Sequence, residues 1–304
     1  MNYQSFKNSI IEYIRYQLGS TYHIFIQSII KNNGIRLDGL IIMPEETNIA
    51  PTIYLNYYFQ KLKQGIPFEN ICTEIINYYQ KHHPESSVDI QFFTDLEQIQ
   101  SHIAYKLINF EKNLSLLDDI PYIRFLDLAI VFYCLLPSSS EQNASILIHN
   151  QHLSMWNLSL TDLYSIAKTN TPDLLGYELL DLHSILRNSD VSEIPHQEFC
   201  LTATPCASDE QYPMYVLSSQ NRQYGAACIL YQNLLKHFSQ KTDMDFYILP
   251  SSIHEVILVP TANRYSLFEL SEMVSSINHS EVNPEDVLSD HAYYYSREED
   301  RISM

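Results

Sequence analysis

The hydrophobic positions near the start of the chain predict a helix followed by a hairpin. Apolar residues recur at helical spacing across Gln4–Leu18, and Gly19 stands where such a helix ends. Two runs of strand type, Tyr22–Ile30 and Ile35–Met43, flank Asn32-Asn33-Gly34, a typical hairpin signal. The next predicted elements are a short strand at Thr52–Leu55 and helices at Tyr57–Lys63 and Phe68–Gln80.

The middle of the chain mixes helical and extended patterns. Thr94-Asp95-Leu96-Glu97 has the form of a capping box, and it predicts a helix whose apolar side continues as far as Leu107. The remaining predictions here are buried strands at Phe125–Leu136 and Ser145–His149, helices at Thr161–Lys168 and Tyr177–Arg187, and a long loop at Asn188–Pro213.

The C-terminal part of the chain has the order β-α-β-β-α-β. Its predicted elements are strand Met214–Ser218, helix Ala227–Ser239, strands Phe246–Leu249 and Val256–Val259, helix Ser266–Ile277 and strand Ala292–Tyr295. This order matches a split βαβ unit. Each helix has one apolar stripe to bury, so we expect the four strands in one sheet with both helices on one of its faces.

Together these elements predict the α+β class. Residues 1–118 would form an N-terminal module of a helix, a hairpin and further helices. Residues 119–304 would form a C-terminal α+β module that contains the split βαβ sheet. The two modules can pack as one compact unit.

The charge balance is strongly acidic, with 36 Asp and Glu against 18 Lys and Arg and a formal net charge of -18. Nucleic acids and anionic membranes attract basic patches, so we expect neither as a partner. The imbalance is sharpest across Glu141–Glu210, which indicates either a soluble surface or a docking face for a basic protein partner. A nucleic-acid mimic would need a denser array of carboxylates than 18% charged residues supply.

The expected compartment follows from the apolar runs and the cysteines. The longest apolar run, Leu128–Leu136, is too short to cross a bilayer, and no signal segment is visible near the N-terminus. The five cysteines are scattered and odd in number, which favours reduced thiols over a disulfide framework. We therefore expect a cytoplasmic protein.

No cofactor and no metal are predicted. The chain has six glycines, and none stands in a phosphate-binding loop of the known kinds. Cys200 and Cys206 lack a second cysteine pair, and His149 and His152 lack a third ligand. A standard nucleotide-dependent enzyme or a zinc site is therefore not indicated.

The most suggestive chemistry lies between two predicted strands. Ser251, Ser252, His254 and Glu255 place hydroxyls, an imidazole and a carboxylate at one end of a sheet. If these groups were aligned, they could support nucleophilic catalysis. Serine also suits turns on its own account, and neighbours in a tight turn rarely point at one another. Turn chemistry is the favoured interpretation.

A second candidate site follows the strand at Ser145–His149. It consists of Asn150, His152 and Trp156, the last being the only tryptophan of the chain. These residues could form one wall of a ligand pocket. The favoured interpretation is a cap at the end of the strand with a buried aromatic anchor.

A family resemblance runs along nearly the whole chain. The segments that carry it are Asn32–Gly34, Leu37–Leu40, Pro51–Asn56, Tyr105–Asn109, Phe125–Val131, Ala144–Ile148, Tyr224–Tyr231 and Leu249–Val256. In this order they resemble domain of unknown function 5688, and the second half is more distantly similar to domain of unknown function 1444. Both families occur mainly in Gram-positive bacteria, and the resemblance implies no known activity, cofactor or catalytic residue.

The leading hypothesis is therefore a cytoplasmic binding or regulatory protein without catalysis. The alternative is a metal-independent hydrolase that uses Ser251 or Ser252 with His254 and Glu255. The alternative requires a serine hydroxyl within hydrogen-bonding reach of the imidazole, with an acid behind it.

Overall fold

The computed structural model describes residues 1–83, 90–136, 145–182, 214–261 and 265–304. The chain divides into two compact units, the first formed mainly by Met1–Thr94 and the second by Asp95–Ser138 and Asn143–Met304. The predicted division at residue 118 falls within the second unit, because strand Ile103–Asn109 pairs with strand Leu128–Leu135 across it.

The first unit combines helices with a three-stranded antiparallel sheet. Its elements are α1 (Tyr3–Leu18), β1 (Tyr22–Ile30), β2 (Arg36–Pro44), β3 (Thr52–Tyr54), α2 (Leu55–Lys63), α3 (Phe68–His82) and α4 (Ile90–Thr94). β1 and β2 form the predicted hairpin, and Asn33 in its loop takes the left-handed conformation with φ 58°. The predicted strands and helices of this region are thus confirmed, with ends shifted by one or a few residues.

Apolar side chains from the helices and the sheet form the core of the first unit. α1 begins after Asn2, whose side chain accepts a hydrogen bond from the Ser5 N–H. The fully buried members of the core are Phe6, Ile10, Ile14, Leu40, Ile42, Leu55, Ile71, Cys72 and Ile75. Removing these side chains from water is the main force that holds the unit together.

The second unit begins with a four-stranded antiparallel sheet flanked by helices. The elements are α5 (Leu96–Ile99), β4 (Ile103–Asn109), α6 (Leu114–Leu117), β5 (Tyr122–Phe125), β6 (Leu128–Leu135), β7 (Ser145–Leu147), α7 (Asn150–Trp156) and α8 (Leu160–Leu175). β6 lies at the centre of this sheet, where it pairs with β4, β5 and β7.

The predicted helix from the capping box to Leu107 is wrong beyond its first turn. α5 ends at Ile99, its cap is Asp95, and the chain then enters strand β4. Ile103 and Leu107 are four residues apart, which matches a helical face, but nearly every residue of β4 is buried and pairs with β6. A strand buried on both faces has no alternating pattern, so periodicity cannot separate it from a helix.

A six-stranded antiparallel sheet forms the rest of the second unit. Its elements are β8 (Glu178–Asp181), β9 (Tyr215–Ser218), a 3-10 helix (Gly225–Leu230), α9 (Leu234–Thr242), β10 (Phe246–Leu249), β11 (Glu255–Pro260), α10 (Leu267–Ser280), β12 (Tyr293–Ser296) and β13 (Arg301–Ser303). The strand order is β13-β12-β10-β11-β9-β8. The four predicted C-terminal strands therefore share one sheet, and the α+β class is confirmed.

The two helices between these strands lie on opposite faces, which corrects the expectation of a common face. On one face, Phe238 of α9 packs on Phe246 of β10, with 5.0 Å between ring centroids. On the other face, Leu270 of α10 packs with Leu249 and Val259. The two crossovers are the connections from β9 to β10 and from β11 to β12. They run in the same direction along the sheet, because β12 pairs with β10 and not with β9, and their starting strands β9 and β11 are antiparallel. Right-handed crossovers then place the helices on opposite faces.

Two further predictions differ from the structure. The predicted helix Tyr177–Arg187 is wrong over its first residues, because Gly176 ends α8 and Glu178–Asp181 then pairs with β9 as strand β8. The predicted strand Phe125–Leu136 begins too early: Phe125 is the last residue of β5, a turn follows in which Leu126 has φ 55°, and the strand itself is β6. The predicted loop Asn188–Pro213 lies outside the described residues.

None of the helices in the described part of the chain is both long enough and apolar enough to span a bilayer.

Candidate functional site

The segment Ser251–His254 connects β10 to β11, as predicted, but it is not simply an exposed turn. Ser252 and Ile253 are buried, and Ser252 forms an isolated antiparallel bridge with Val287. The backbone of Ile253 also donates to the Asp286 carbonyl oxygen. The connection is thus held against a second loop, the one that follows α10.

His254 joins three segments through its imidazole and its backbone. The backbone N–H of Tyr224 donates to Nδ1 at 3.4 Å, so the ring proton belongs on Nε2. Nε2 then donates to Oδ1 of Asp286 at 3.3 Å. In addition, the hydroxyl of Ser218 donates to the His254 carbonyl oxygen at 2.7 Å. Both imidazole nitrogens therefore have a partner within the chain.

The serines do not align with this imidazole. The Ser252 hydroxyl accepts a hydrogen bond from the His254 backbone N–H at 3.0 Å, and it makes none with the ring. The Glu255 side chain is exposed and forms no hydrogen bond or ion pair with a described residue, so the acid beside His254 is Asp286. The Ser251 side chain also has no hydrogen-bond partner among the described residues. The geometry supplies no general base for either serine.

Tyr224 and Gly225 bring the adjoining loop close to the imidazole. The Tyr224 ring stacks on His254, with 5.9 Å between ring centroids and 13° between ring planes. A Cβ on Gly225 would lie 2.2 Å from the Ser219 nitrogen and 2.4 Å from the His254 carbonyl oxygen. Only glycine permits so close an approach of two backbones.

A lysine completes the cluster from the first sheet of this unit. The ammonium of Lys106 lies 4.1 Å from the centroid of the Tyr224 ring and 5.7 Å from that of Tyr133. The other six residues of β4 are buried, whereas Lys106 is half-buried. No carboxylate among the described residues lies within ion-pairing distance of it. We call Lys106, Tyr133, Tyr224, His254 and Asp286 the His254 centre.

The Tyr133 hydroxyl is the most deeply buried polar group of the His254 centre. Tyr133 is 1% exposed, and its hydroxyl has no hydrogen-bond partner among the described residues. Burial, followed by the nearby Tyr224, raises the pKa of Tyr133 far above its usual value, so the phenol stays protonated.

Asn150, His152 and Trp156 lie on α7, with Asn150 and His152 in its first turn and Trp156 at its last residue. The His149 backbone N–H donates to Nδ1 of His152 at 3.0 Å, and the His152 ring packs on Trp156 with 5.6 Å between centroids. Burial and then His149 lower the pKa of His152, so its ring is neutral and can accept this bond. Asn150 donates to the Asp119 carbonyl oxygen through its backbone. This geometry is that of a helix cap.

A metal centre is not assembled at either site. Within the described ranges, no three His, Cys, Asp or Glu side chains come close enough together to hold an ion. His149 instead pairs with Asp119, with 2.7 Å between Nδ1 and Oδ2.

Sequence reasoning found Ser252 and His254 but missed the residues that surround them. The sequence did contain a sign that Lys106 is unusual, since it is the one charged residue in the apolar run Ile103–Asn109. It contained no such sign for Tyr224 and Asp286, because only the fold brings them to His254 from 30 and 32 positions away.

The fold and the site define an α+β protein of two compact units, the second of which carries a histidine-centred cluster of polar side chains. The chain belongs to DUF5688, a family of unknown function whose model matches residues 3–297. The expected likeness of the second half to domain of unknown function 1444 is not shown by the comparisons. Comparison with curated proteins found no match, and comparison with solved structures found none.

Proposed function

We propose that this chain is a non-catalytic binding or regulatory protein of the bacterial cytoplasm, and that its His254 centre recognises an anionic group of a ligand or partner. The observation that carries the proposal is the Lys106 ammonium, which is half-buried and faces no described carboxylate although acidic residues outnumber basic ones by 36 to 18. Because the Lys106 ammonium has no ion-pair partner among the described residues of so acidic a chain, it can bind a carboxylate or phosphate group of another molecule.

The setting of Lys106 supports binding in preference to a structural role. Partial removal of an ammonium from water costs free energy. The cation–π contact with the Tyr224 ring offsets only about 0.5–1 kcal/mol of this cost at a partly exposed site. An apolar side chain would suit the buried strand β4 better on grounds of stability. The position is therefore explained by a ligand contact.

The hydrogen bonds of His254 favour a structural role, in which the imidazole holds the residues around that contact in place, over the role of a catalytic base. Its Nδ1 accepts from Tyr224 and its Nε2 donates to Asp286, so the imidazole holds the loop on which Tyr224 stacks. The serine hydrolase remains an untested prediction to which this geometry lends no support. The basic protein partner also stays a prediction, since it rests on net charge alone.

The proposal is tested by calorimetric titration of the full chain with inorganic pyrophosphate and with citrate. The variant Lys106→Met keeps the length of the side chain and removes its charge. We expect at least about a tenfold loss of affinity, the effect of one charge-assisted contact. Lys168→Met is the matched control, because Lys168 is an exposed lysine on α8 of the same unit.

Equal affinities for wild type and Lys106→Met would refute the proposed site, as would an equal loss in Lys168→Met. The non-catalytic part is checked separately with p-nitrophenyl acetate. Ester hydrolysis that disappears in both Ser252→Ala and His254→Gln would establish the hydrolase instead.

A further inference from the structure

A cavity of about 490 Å³ opens between three turns of the second unit, away from the His254 centre. Arg124 comes from β5, Leu126 from the turn between β5 and β6, and Tyr231 from the segment that enters α9. Lys236 of α9 and Arg301 of β13 complete its polar side. A volume of this size lies within the range of small-molecule sites, about 300–1,000 Å³.

The lining of the cavity is far more basic than the chain as a whole. Three of its thirteen lining residues are cations, against 18 of 304 in the whole sequence. The lining holds one carboxylate, that of Asp300, which bonds to the Lys236 ammonium at 3.3 Å and accepts from the Tyr295 hydroxyl at 2.5 Å. Arg124 and Arg301 meet no carboxylate within the described ranges. The cavity therefore carries a net charge of three minus one, or +2.

Arg124 is already held in position. Its guanidinium lies 4.3 Å from the centroid of the Phe110 ring, and its Nε donates to the Leu126 carbonyl oxygen at 3.4 Å. These contacts leave the terminal nitrogens of the guanidinium to bind an oxyanion. A guanidinium that is fixed before binding loses less conformational entropy when it binds a carboxylate or phosphate.

The rest of the wall is mainly apolar. Eight of the thirteen lining residues are aliphatic or aromatic, and they are Phe125, Leu126, Ile229, Leu230, Tyr231, Leu235, Tyr295 and Ile302. The Tyr231 hydroxyl is used inside the fold, where it donates to the Gly176 carbonyl oxygen at 3.2 Å. A ligand would therefore meet cations at one side and hydrocarbon elsewhere.

The backbone around the cavity is in unusual conformations. Leu126, Asn233 and Asp300 line it and have φ of 55°, 61° and 48°. Asparagine and aspartate tolerate the left-handed region, but leucine rarely adopts it. Such backbone is retained only where the surroundings enforce it, and it concentrates at functional sites.

We propose that this cavity binds an organic oxyanion, a carboxylate or phosphate head on an apolar body. The head lies between Arg124 and Arg301, and the apolar body lies against the aliphatic and aromatic wall. The site is distinct from the His254 centre, and it neither requires nor implies binding there.

The test is calorimetric titration of the full chain with octyl phosphate and octanoate, each below its micellar concentration. We expect saturable binding of at least one of them with one molecule per chain, and the tighter probe identifies the head group. Arg124→Met and Arg301→Met should each weaken binding by at least about tenfold, as expected for a bidentate charge-assisted contact. Arg297→Met is the matched control, because Arg297 pairs with Asp243 and is not part of the lining.

Equal binding of octylammonium, no binding of either anionic probe, or full affinity in both arginine variants would overturn the proposal. If an arginine variant has a lower melting temperature than the wild type, the proposal is tested instead by the salt dependence of binding to the wild type. Affinity for the anionic probe must then fall as NaCl is raised, and an affinity independent of salt would overturn the proposal too.

Discussion

In the His254 centre, the imidazole is hydrogen-bonded to the Tyr224 backbone and to Asp286, whereas two guanidinium groups at the cavity face no described carboxylate. The first region joins loops that are far apart in sequence, and glycine is required where they meet. The second region is an opening with polar groups at its edge. The difference separates polar groups that join loops, such as His254 and Asp286, from cations that face no described carboxylate, namely Lys106 and the two guanidinium groups, on which our two proposals rest.

The largest effect is expected from Gly225→Ala, because the added Cβ would lie 2.2 Å from a backbone nitrogen that cannot move away alone. We predict a loss of about 3 kcal/mol or more in the free energy of unfolding, measured by urea denaturation. Gly65→Ala is the control. Its φ is +94° but a Cβ there would meet nothing within 4 Å, so backbone strain of about 1 kcal/mol is expected. Similar losses in both variants would show that the loops do not meet so closely.

His254→Phe should have the next largest effect. The variant keeps a ring beside Tyr224 but loses the bonds to the Tyr224 N–H and to Asp286. We predict a loss of about 2 kcal/mol in the free energy of unfolding, measured by urea denaturation, because the Tyr224 N–H and Oδ1 of Asp286 each lose their hydrogen bond to the imidazole. His237→Phe, at an exposed position on α9, should change stability by less than about 0.5 kcal/mol. An equally small change in His254→Phe would mean that the imidazole does not hold these loops.

A pH-dependent effect is expected at the edge of the cavity. The hydrogen bond from Tyr295, aided by Lys236, lowers the pKa of Asp300 below its usual 3.8. Because folding lowers this pKa, the ionised Asp300 stabilises the folded state at pH values above the pKa of the unfolded chain. That stabilisation is lost as the pH falls through the pKa of the folded state. Urea denaturation between pH 5 and pH 2 should therefore show a smaller acid-induced loss in Asp300→Asn than in the wild type. Parallel curves would contradict this role of Asp300.

The smallest effect is expected from Tyr133→Phe. No described residue bonds to the Tyr133 hydroxyl, so its removal should leave stability unchanged or raise it by up to about 1 kcal/mol. Tyr231→Phe is the matched comparison, since the Tyr231 hydroxyl donates to the Gly176 carbonyl oxygen, and a loss of about 1 kcal/mol is expected there. A larger loss in Tyr133→Phe than in Tyr231→Phe would reveal a partner for the Tyr133 hydroxyl.

The strands were easier to predict from the sequence than the arrangement of the helices around them. Phe246–Leu249 and Val256–Val259 are short apolar runs separated by turn residues, and they pair as expected. The faces of α9 and α10 depend on whether β12 pairs with β10 or with β9, and no local pattern records that choice. β4 was mistaken for helix because burial on both faces removes the alternation that marks a strand.

The candidate sites were predictable only where their residues are neighbours in sequence. Ser252 and His254 were found because they stand together in one turn, and Glu255 was included for the same reason although it is exposed. The acid that pairs with His254 comes from beyond α10, and the lysine comes from the other sheet. The cavity gathers Arg124, Lys236 and Arg301 from β5, α9 and β13, which are far apart in sequence, so its charge becomes visible only in the fold.

The central claim is that Lys106 is kept for binding and not for stability, and urea denaturation of Lys106→Met with and without inorganic pyrophosphate tests it most directly. In buffer, the variant should be at least as stable as the wild type, within about 0.5 kcal/mol. Pyrophosphate should raise the denaturation midpoint of the wild type but not that of the variant, because only a ligand that binds the folded state stabilises it. A variant that is destabilised by more than about 1 kcal/mol in buffer, yet gains the same stabilisation from pyrophosphate as the wild type, would contradict the account.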